Sequence, residues 1–232
     1  MSGPAPVRAP EVVVVGRVGC DLPPDGVGVP LAAVRSFERH PGGFGGNVAT
    51  GLARLGIRTA LVAAVGDDGH GAFVLARLQA EGVDTAAVRV VPGVRTPLAF
   101  YEAFPPDDFP VTFYPSPAYW ALEPRQLSAA VMEAPVWLVS ATAFGQEPAR
   151  TVLREAVAAR RAHGRGGTII LDLDWRPTLW EREEDAAAVT AGLVALADTV
   201  IGSAEEFARI GLDPAALGAS GRADVYLKRG PH

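Results

Sequence analysis

The chain has 232 residues, with 21 Lys and Arg against 26 Asp and Glu and a formal net charge of −5 at pH 7. This length fits one large domain, and 49% hydrophobic against 20% charged residues supplies a sizeable core and excludes a disordered chain. The mild acidity gives no electrostatic basis for binding nucleic acid or an anionic membrane, so a small-molecule ligand is expected. A lone cysteine, Cys20, cannot close an internal disulfide, and no Cys/His cluster offers a structural zinc site; a reducing cytoplasm is the expected location. Met1–Pro10 has no apolar leader, and the run Val12–Val15 is far below the ~20 residues of a membrane span.

In chain order, Val12–Val15 is a β-branched run closed by Gly16, the pattern of a buried parallel strand. Short apolar runs recur at Thr59–Val65, Val136–Val139, Thr168–Leu171, Thr199–Ile201 and Val225–Leu227. Between them the spacing predicts helices. One is capped by Asn47 with Val48, Leu52 and Leu55 on one face, a second runs from about Gly71 to Glu81, and a third starts at Pro148 and stops at Gly164. Strands alternating with helices imply a mainly parallel sheet covered on both faces, an α/β/α arrangement in one domain. Two stretches break the alternation, 34–41 and 88–116, and read as β excursions that form a small lid over the carboxyl edge of the sheet. Asp224–Lys228 reads as one more buried strand. Only four residues follow it, so the fold is expected to be C-terminally incomplete.

The densest glycine cluster, Gly42-Gly43-Phe44-Gly45-Gly46-Asn47, leads into a helix. It reads either as a ligand cradle, with free N–H groups and close backbone approach, or as a tight turn with an ordinary cap. It lacks the Lys-Ser/Thr ending of a phosphate loop. Asp21, after the first strand, is either an acceptor for two hydroxyls or the start of a turn into Leu22-Pro23-Pro24. Arg176 follows a strand in Asp172-Leu173-Asp174-Trp175-Arg176-Pro177 and could clamp a carboxylate bidentately or form a surface ion pair.

The cluster from Gly42 to Ala49, followed at fixed spacing by Gly56 and Gly66, resembles the first signature of the ribokinase-like (PfkB) family of carbohydrate kinases. Gly16–Asp21, Gly66-Asp67-Asp68-Gly69 and the Asp172–Pro177 segment fall in the order of that family, so the resemblance covers almost the whole chain. It implies a ribokinase-like fold, an ATP-dependent sugar kinase and Mg²⁺ as the nucleotide's ion. Phe104–Pro110 and the Asp at 174, where many relatives carry Asn, are most similar to members that act on sugar acids: 5-dehydro-2-deoxygluconate, with 2-keto-3-deoxygluconate a close competitor.

On this resemblance Asp21, Gly43, Asn47, Glu102, Asp174 and Arg176 are the expected substrate-binding residues, with the lid residues Phe100 and Tyr114 read as ligand contacts or as sheet packing. Ser203, Glu206, Lys228 and Gly230 are the expected nucleotide residues. Glu206 also holds the metal, although Ser203 stands where the family has Asn and Glu206 could equally serve a helix's first turn. Lys228 could otherwise be a solvated strand-end charge. The family's catalytic aspartate is expected beyond His232, so the chain alone is expected to be inactive. A non-catalytic sugar-binding module is the reading from another class. Pairing of exposed lid strands across two subunits would give a homodimer.

Overall fold

The computed structural model describes residues 9–105, 108–162 and 167–229. In chain order its strands are β1 (Val12–Val15), β2 (Gly19–Leu22), β3 (His40–Gly42), β4 (Thr59–Gly66), β5 (Val88–Val91), β6 (Leu98–Tyr101), β7 (Val111–Tyr114), β8 (Val136–Ser140), β9 (Thr168–Asp172), β10 (Thr199–Ser203) and β11 (Asp224–Lys228). The helices are α1 (Gly43–Arg54), α2 (Gly69–Ala80), α3 (Ala129–Met132), α4 (Ala149–Ala162), α5 (Glu183–Val194), α6 (Ala204–Arg209) and α7 (Pro214–Ala219).

Seven strands form a parallel sheet in the order β11-β10-β9-β8-β1-β4-β5. The valines of β1 show why it is parallel and central. Val13 and Val15 pack with Trp137, Leu153 and Phe207 in one core, while Val12 and Val14 pack with Ala49, Val74 and Leu78 in another. A strand buried on both faces needs apolar residues at every position, and the successive valines satisfy that. Helices α1 and α2 cover one face and α4, α5 and α6 the other, which gives the ribokinase-like three-layer α/β/α fold.

Four short strands form the second sheet, β3-β2-β6-β7, with β2 and β6 parallel and the outer pairs antiparallel. The excursions differ in extent from those read in the sequence. Val88–Val91 is the edge strand of the main sheet, so the second excursion begins at β6. Of 34–41, only the bridge of Phe37 to Pro24 and the start of β3 are β structure. Gly19–Leu22, which follows the first strand without a strand pattern of its own, pairs with β3 and β6 in the lid.

The first long helix also begins earlier than Asn47 suggests. It starts at Gly43, with Gly42 as its N-cap, so Asn47 sits within the helix and its side chain is released from capping. β11 pairs with β10 as expected but is largely exposed, with Tyr226 63% and Leu227 40% accessible, because it is the sheet's edge strand.

Asp68 ties the main sheet to the lid. Its Oδ1 accepts from the N–H groups of His70 and Gly71, capping α2, and from Thr96 Oγ1; its Oδ2 accepts from Thr96 N–H at 2.9 Å. Desolvation alone would raise its pKa, and these hydrogen bonds bring it down to about 2. The stability it confers is therefore fully present above its unfolded pKa of about 3.9 and is lost as pH falls through about 2. Asp68→Ala is expected to cost ~1–2 kcal/mol at neutral pH, with a shallower loss of stability between about pH 4 and about pH 2 than the parent shows, both read from urea unfolding.

Candidate sugar-binding site

The strands leave β1 in two directions, toward β4 and β5 on one side and toward β8 through β11 on the other. At such a switch point the connections diverge and open a crevice beyond the carboxyl ends of the strands. A cavity of about 240 Å³ lies there, between the sheet and the lid, lined by Arg17, Asp21, Asn47, Tyr101, Asp174 and Arg176 among others. Its volume is below the ~300 Å³ typical of pockets for larger ligands, which fits a single monosaccharide.

Asp21 reaches the cavity from β2, and its Oδ2 accepts from Tyr101 Oη at 3.0 Å. Burial raises its pKa, while the Tyr101 hydrogen bond and the Arg17 charge pull the other way. The glycine cluster earns its composition here. A Cβ on Gly42 would stand 1.9 Å from the Asp21 Cγ, and one on Gly43, whose φ is +77°, would stand 2.7 Å from the Arg17 carbonyl oxygen. The glycines therefore let α1 start against β2 and the Arg17 backbone, and Gly45 N–H bonds that same carbonyl at 2.8 Å. Asn47, exposed on the first turns of α1, faces the cavity with both a donor and an acceptor.

Arg17 and Asp174 form the cavity floor. Arg17 is 3% exposed, with Nη2 2.8 Å from Asp174 Oδ2 and Nε 2.7 Å from Thr142 Oγ1. Asp174 Oδ2 also accepts from the Ser140 and Thr142 hydroxyls, each at 2.8 Å. Burial would raise the Asp174 pKa, and the Arg17 charge with these donors holds it below the ordinary carboxylate range. Arg176 is half-exposed at the rim, with Nη1 bonding its neighbour's carbonyl and Nε 3.9 Å from Asp174 Oδ1.

Glu102 is not part of this cavity. Its Oε1 accepts from Leu31 N–H at 2.7 Å, fastening β6 to the loop before β3. The reason is strand parity, since side chains alternate between faces. Tyr101 and Phe113 line the cavity. Phe100 and Tyr114 lie on the opposite face, ring centroids 5.4 Å apart and edge to face, with Phe37 also edge to face against Phe100 at 5.1 Å. Glu102 thus lies outside the cavity lining, Phe100 and Tyr114 take the sheet-packing reading, and Arg17, Tyr101, Phe113, Ser140 and Thr142 are not singled out by the sequence reading. Their positions at the carboxyl ends of β1 and β8 were the available signal for three of them.

A second polar cluster lies farther along the same sheet edge. Ser203 caps α6, its Oγ accepting from Glu206 N–H, and Glu206 returns the bond to Ser203 N–H at 2.7 Å and accepts from Trp175 N–H at 3.0 Å. Lys228 Nζ stands 3.0 Å from both Asp172 Oδ1 and Glu206 Oε2. Burial lowers and the Asp172 and Glu206 charges raise the Lys228 pKa, with a net rise, so it is a paired cation rather than a free strand-end charge. Gly230 lies outside the described residues. Among the described residues no group of three or more His, Cys, Asp or Glu side chains is placed to hold a metal directly. The Glu206 carboxylate takes two backbone N–H groups and Lys228, which leaves Oε1 an acceptor position for a water, the manner in which Mg²⁺ is held where carboxylates are few. No helix among the described residues is long and apolar enough to cross a membrane.

The family described as pfkB family carbohydrate kinase matches residues 9–214, and the chain belongs to it. It is 32% identical over 200 residues to the 5-dehydro-2-deoxygluconokinase of Shouchella clausii, covering 85% of this chain and 61% of that relative. With the 5-dehydro-2-deoxygluconokinase of Bacillus subtilis it shares 30% identity over 203 residues, covering 86% and 62%. The chain therefore spans about three fifths of the length of these curated relatives. Among solved structures it resembles a PfkB protein from Polaromonas sp., with a TM-score of 0.84 at 26% identity over 96% of this chain and 77% of that one. An uncharacterised sugar kinase from Pyrococcus horikoshii in complex with ATP gives 0.79 at 26% identity over 95% and 71%.

Proposed function

We propose that the chain carries the sugar pocket of an ATP-dependent kinase that phosphorylates 5-dehydro-2-deoxygluconate to its 6-phosphate in myo-inositol catabolism in the cytoplasm. The observation that carries this reading is the convergence of Asp21, Asn47, Asp174 and Arg176 on one monosaccharide-sized cavity at the switch point. Asp21 and Asn47 bind hydroxyls, Gly43 lets the sugar approach the backbone, and the half-exposed Arg176 takes the acid's carboxylate, which favours an acid over ribose or fructose. The name shared by relatives at 30% and 32% identity supports the substrate.

In this reading ATP lies along the edge that holds Ser203, Glu206 and Lys228, as the ATP complex of the Pyrococcus horikoshii relative supports, with Gly230 a nucleotide residue on the sequence motif alone. Glu206 would hold a hydrated Mg²⁺, whose contribution is to offset charge on the phosphates. Lys228, already poised between Asp172 and Glu206, offers a point charge to a phosphate oxygen. Two copies pair through the lid.

Calorimetric titration of the purified chain tests the reading. The acid is expected to bind more tightly than ribose or fructose, and Asp21→Ala to weaken it about 100-fold, since two hydrogen bonds to a charged acceptor are lost. Equal or tighter binding of the neutral sugars would overturn the assignment to an acid. Phosphate transfer that Asp21→Ala abolishes would overturn the expected inactivity.

A further inference from the structure

Arg17 is fixed from three sides. Its Nε is held by Thr142, its Nη2 by Asp174, and its guanidinium carbon stands 5.2 Å from the centre of the Tyr119 ring. The acceptor it meets is used unequally. Asp174 Oδ2 takes Arg17, Ser140 and Thr142, whereas Oδ1 lies on the Arg176 side. Asp174 also has a φ of +36°, a conformation that a non-glycine residue keeps when its surroundings over-determine it.

We propose that Arg17 is a positioning residue of the sugar-acid pocket: it pins Asp174 through Oδ2, leaves Oδ1 for the ligand, and cancels the carboxylate's charge so that Arg176 stands as the cation that meets an acid. This rests on the sugar-acid reading above. Without Arg17, Asp174 would set an uncompensated negative charge beside the ligand's own carboxylate, and the buried site would screen it weakly. Without Asp174, Arg17 would add a second cation. The other ionisable groups around the pair are Asp21 and Tyr101 from the lid, Tyr119 beneath the guanidinium and Asp172 at the end of β9, and none of them changes in either variant.

The test is the ratio of affinities for 5-dehydro-2-deoxygluconate and its methyl ester, which keeps the hydroxyls and removes the charge. Arg17→Met is expected to weaken the acid about tenfold more than the ester. Asp174→Asn is expected to shift the ratio about tenfold toward the acid, and the double variant to return it to the parent value. Should Arg17→Met fail to fold, Asp174→Asn and the double variant carry the same comparison. Equal losses for acid and ester, or a double variant that keeps a single variant's ratio, overturn the inference while leaving the pocket assignment standing. A parent chain that binds neither ligand overturns both.

Discussion

Gly42→Ala is expected to cost the chain its sugar while leaving the fold in place. Gly42 has an extended backbone, φ −138° and ψ −166°, that any residue adopts, so alanine brings no backbone strain. What it meets is the Asp21 carboxylate, whose Cγ and both oxygens lie 1.9 to 2.1 Å from the added Cβ. A side chain can rotate where a backbone cannot, and the rotation takes Asp21 off Tyr101 and out of the cavity. Affinity for 5-dehydro-2-deoxygluconate should therefore fall about 100-fold, as for removal of the carboxylate itself, with unfolding free energy changed by less than about 1 kcal/mol. Titration calorimetry and urea unfolding read the two quantities. Unchanged affinity would mean that Asp21 does not touch the ligand.

The largest stability effect is expected at Trp137, in the middle of β8. The side chain is fully buried between sheet and helices, its Nε1 donates to the Val131 carbonyl at 2.8 Å, and the Arg160 guanidinium stacks 4.8 Å from its ring. Arg160 is itself buried and holds the carbonyls of Met132 and Ala134, so Trp137 supports the turn between α3 and β8. Trp137→Ala opens a cavity and removes the indole donor from the Val131 carbonyl, which keeps Ala134 N–H at 3.4 Å, an expected loss of ~3–5 kcal/mol. That is a large share of the ~5–15 kcal/mol that holds a typical domain together. Guanidinium unfolding measures it, and a loss below about 1.5 kcal/mol would show that the core closes over the gap.

The parallel sheet was legible because burial on both faces writes itself into the sequence. Val12–Val15, Thr59–Val65 and Thr168–Leu171 are uninterrupted apolar runs, and all became central strands. The lid was harder, since its strands are four residues or fewer and, apart from the buried β2, only partly buried. Over so short a run the alternation of faces has no register to anchor it, and a slip of one residue exchanges Tyr101 for Glu102 as the ligand-facing position. In the site, Asp21, Asn47, Asp174 and Arg176, each drawn from a sequence motif, line one cavity. Arg17 escaped notice because its partners, Thr142 and Asp174, are 125 and 157 residues away, and only the strand order brings them together.

A crystal structure of the chain with 5-dehydro-2-deoxygluconate would show whether the cavity between lid and sheet holds a sugar acid. Hydroxyls are expected on Asp21 and Asn47, the carboxylate on Arg176, and Asp174 still bound to Arg17 through Oδ2. A ligand seated elsewhere, or one with its carboxylate turned away from Arg176, would contradict that placement.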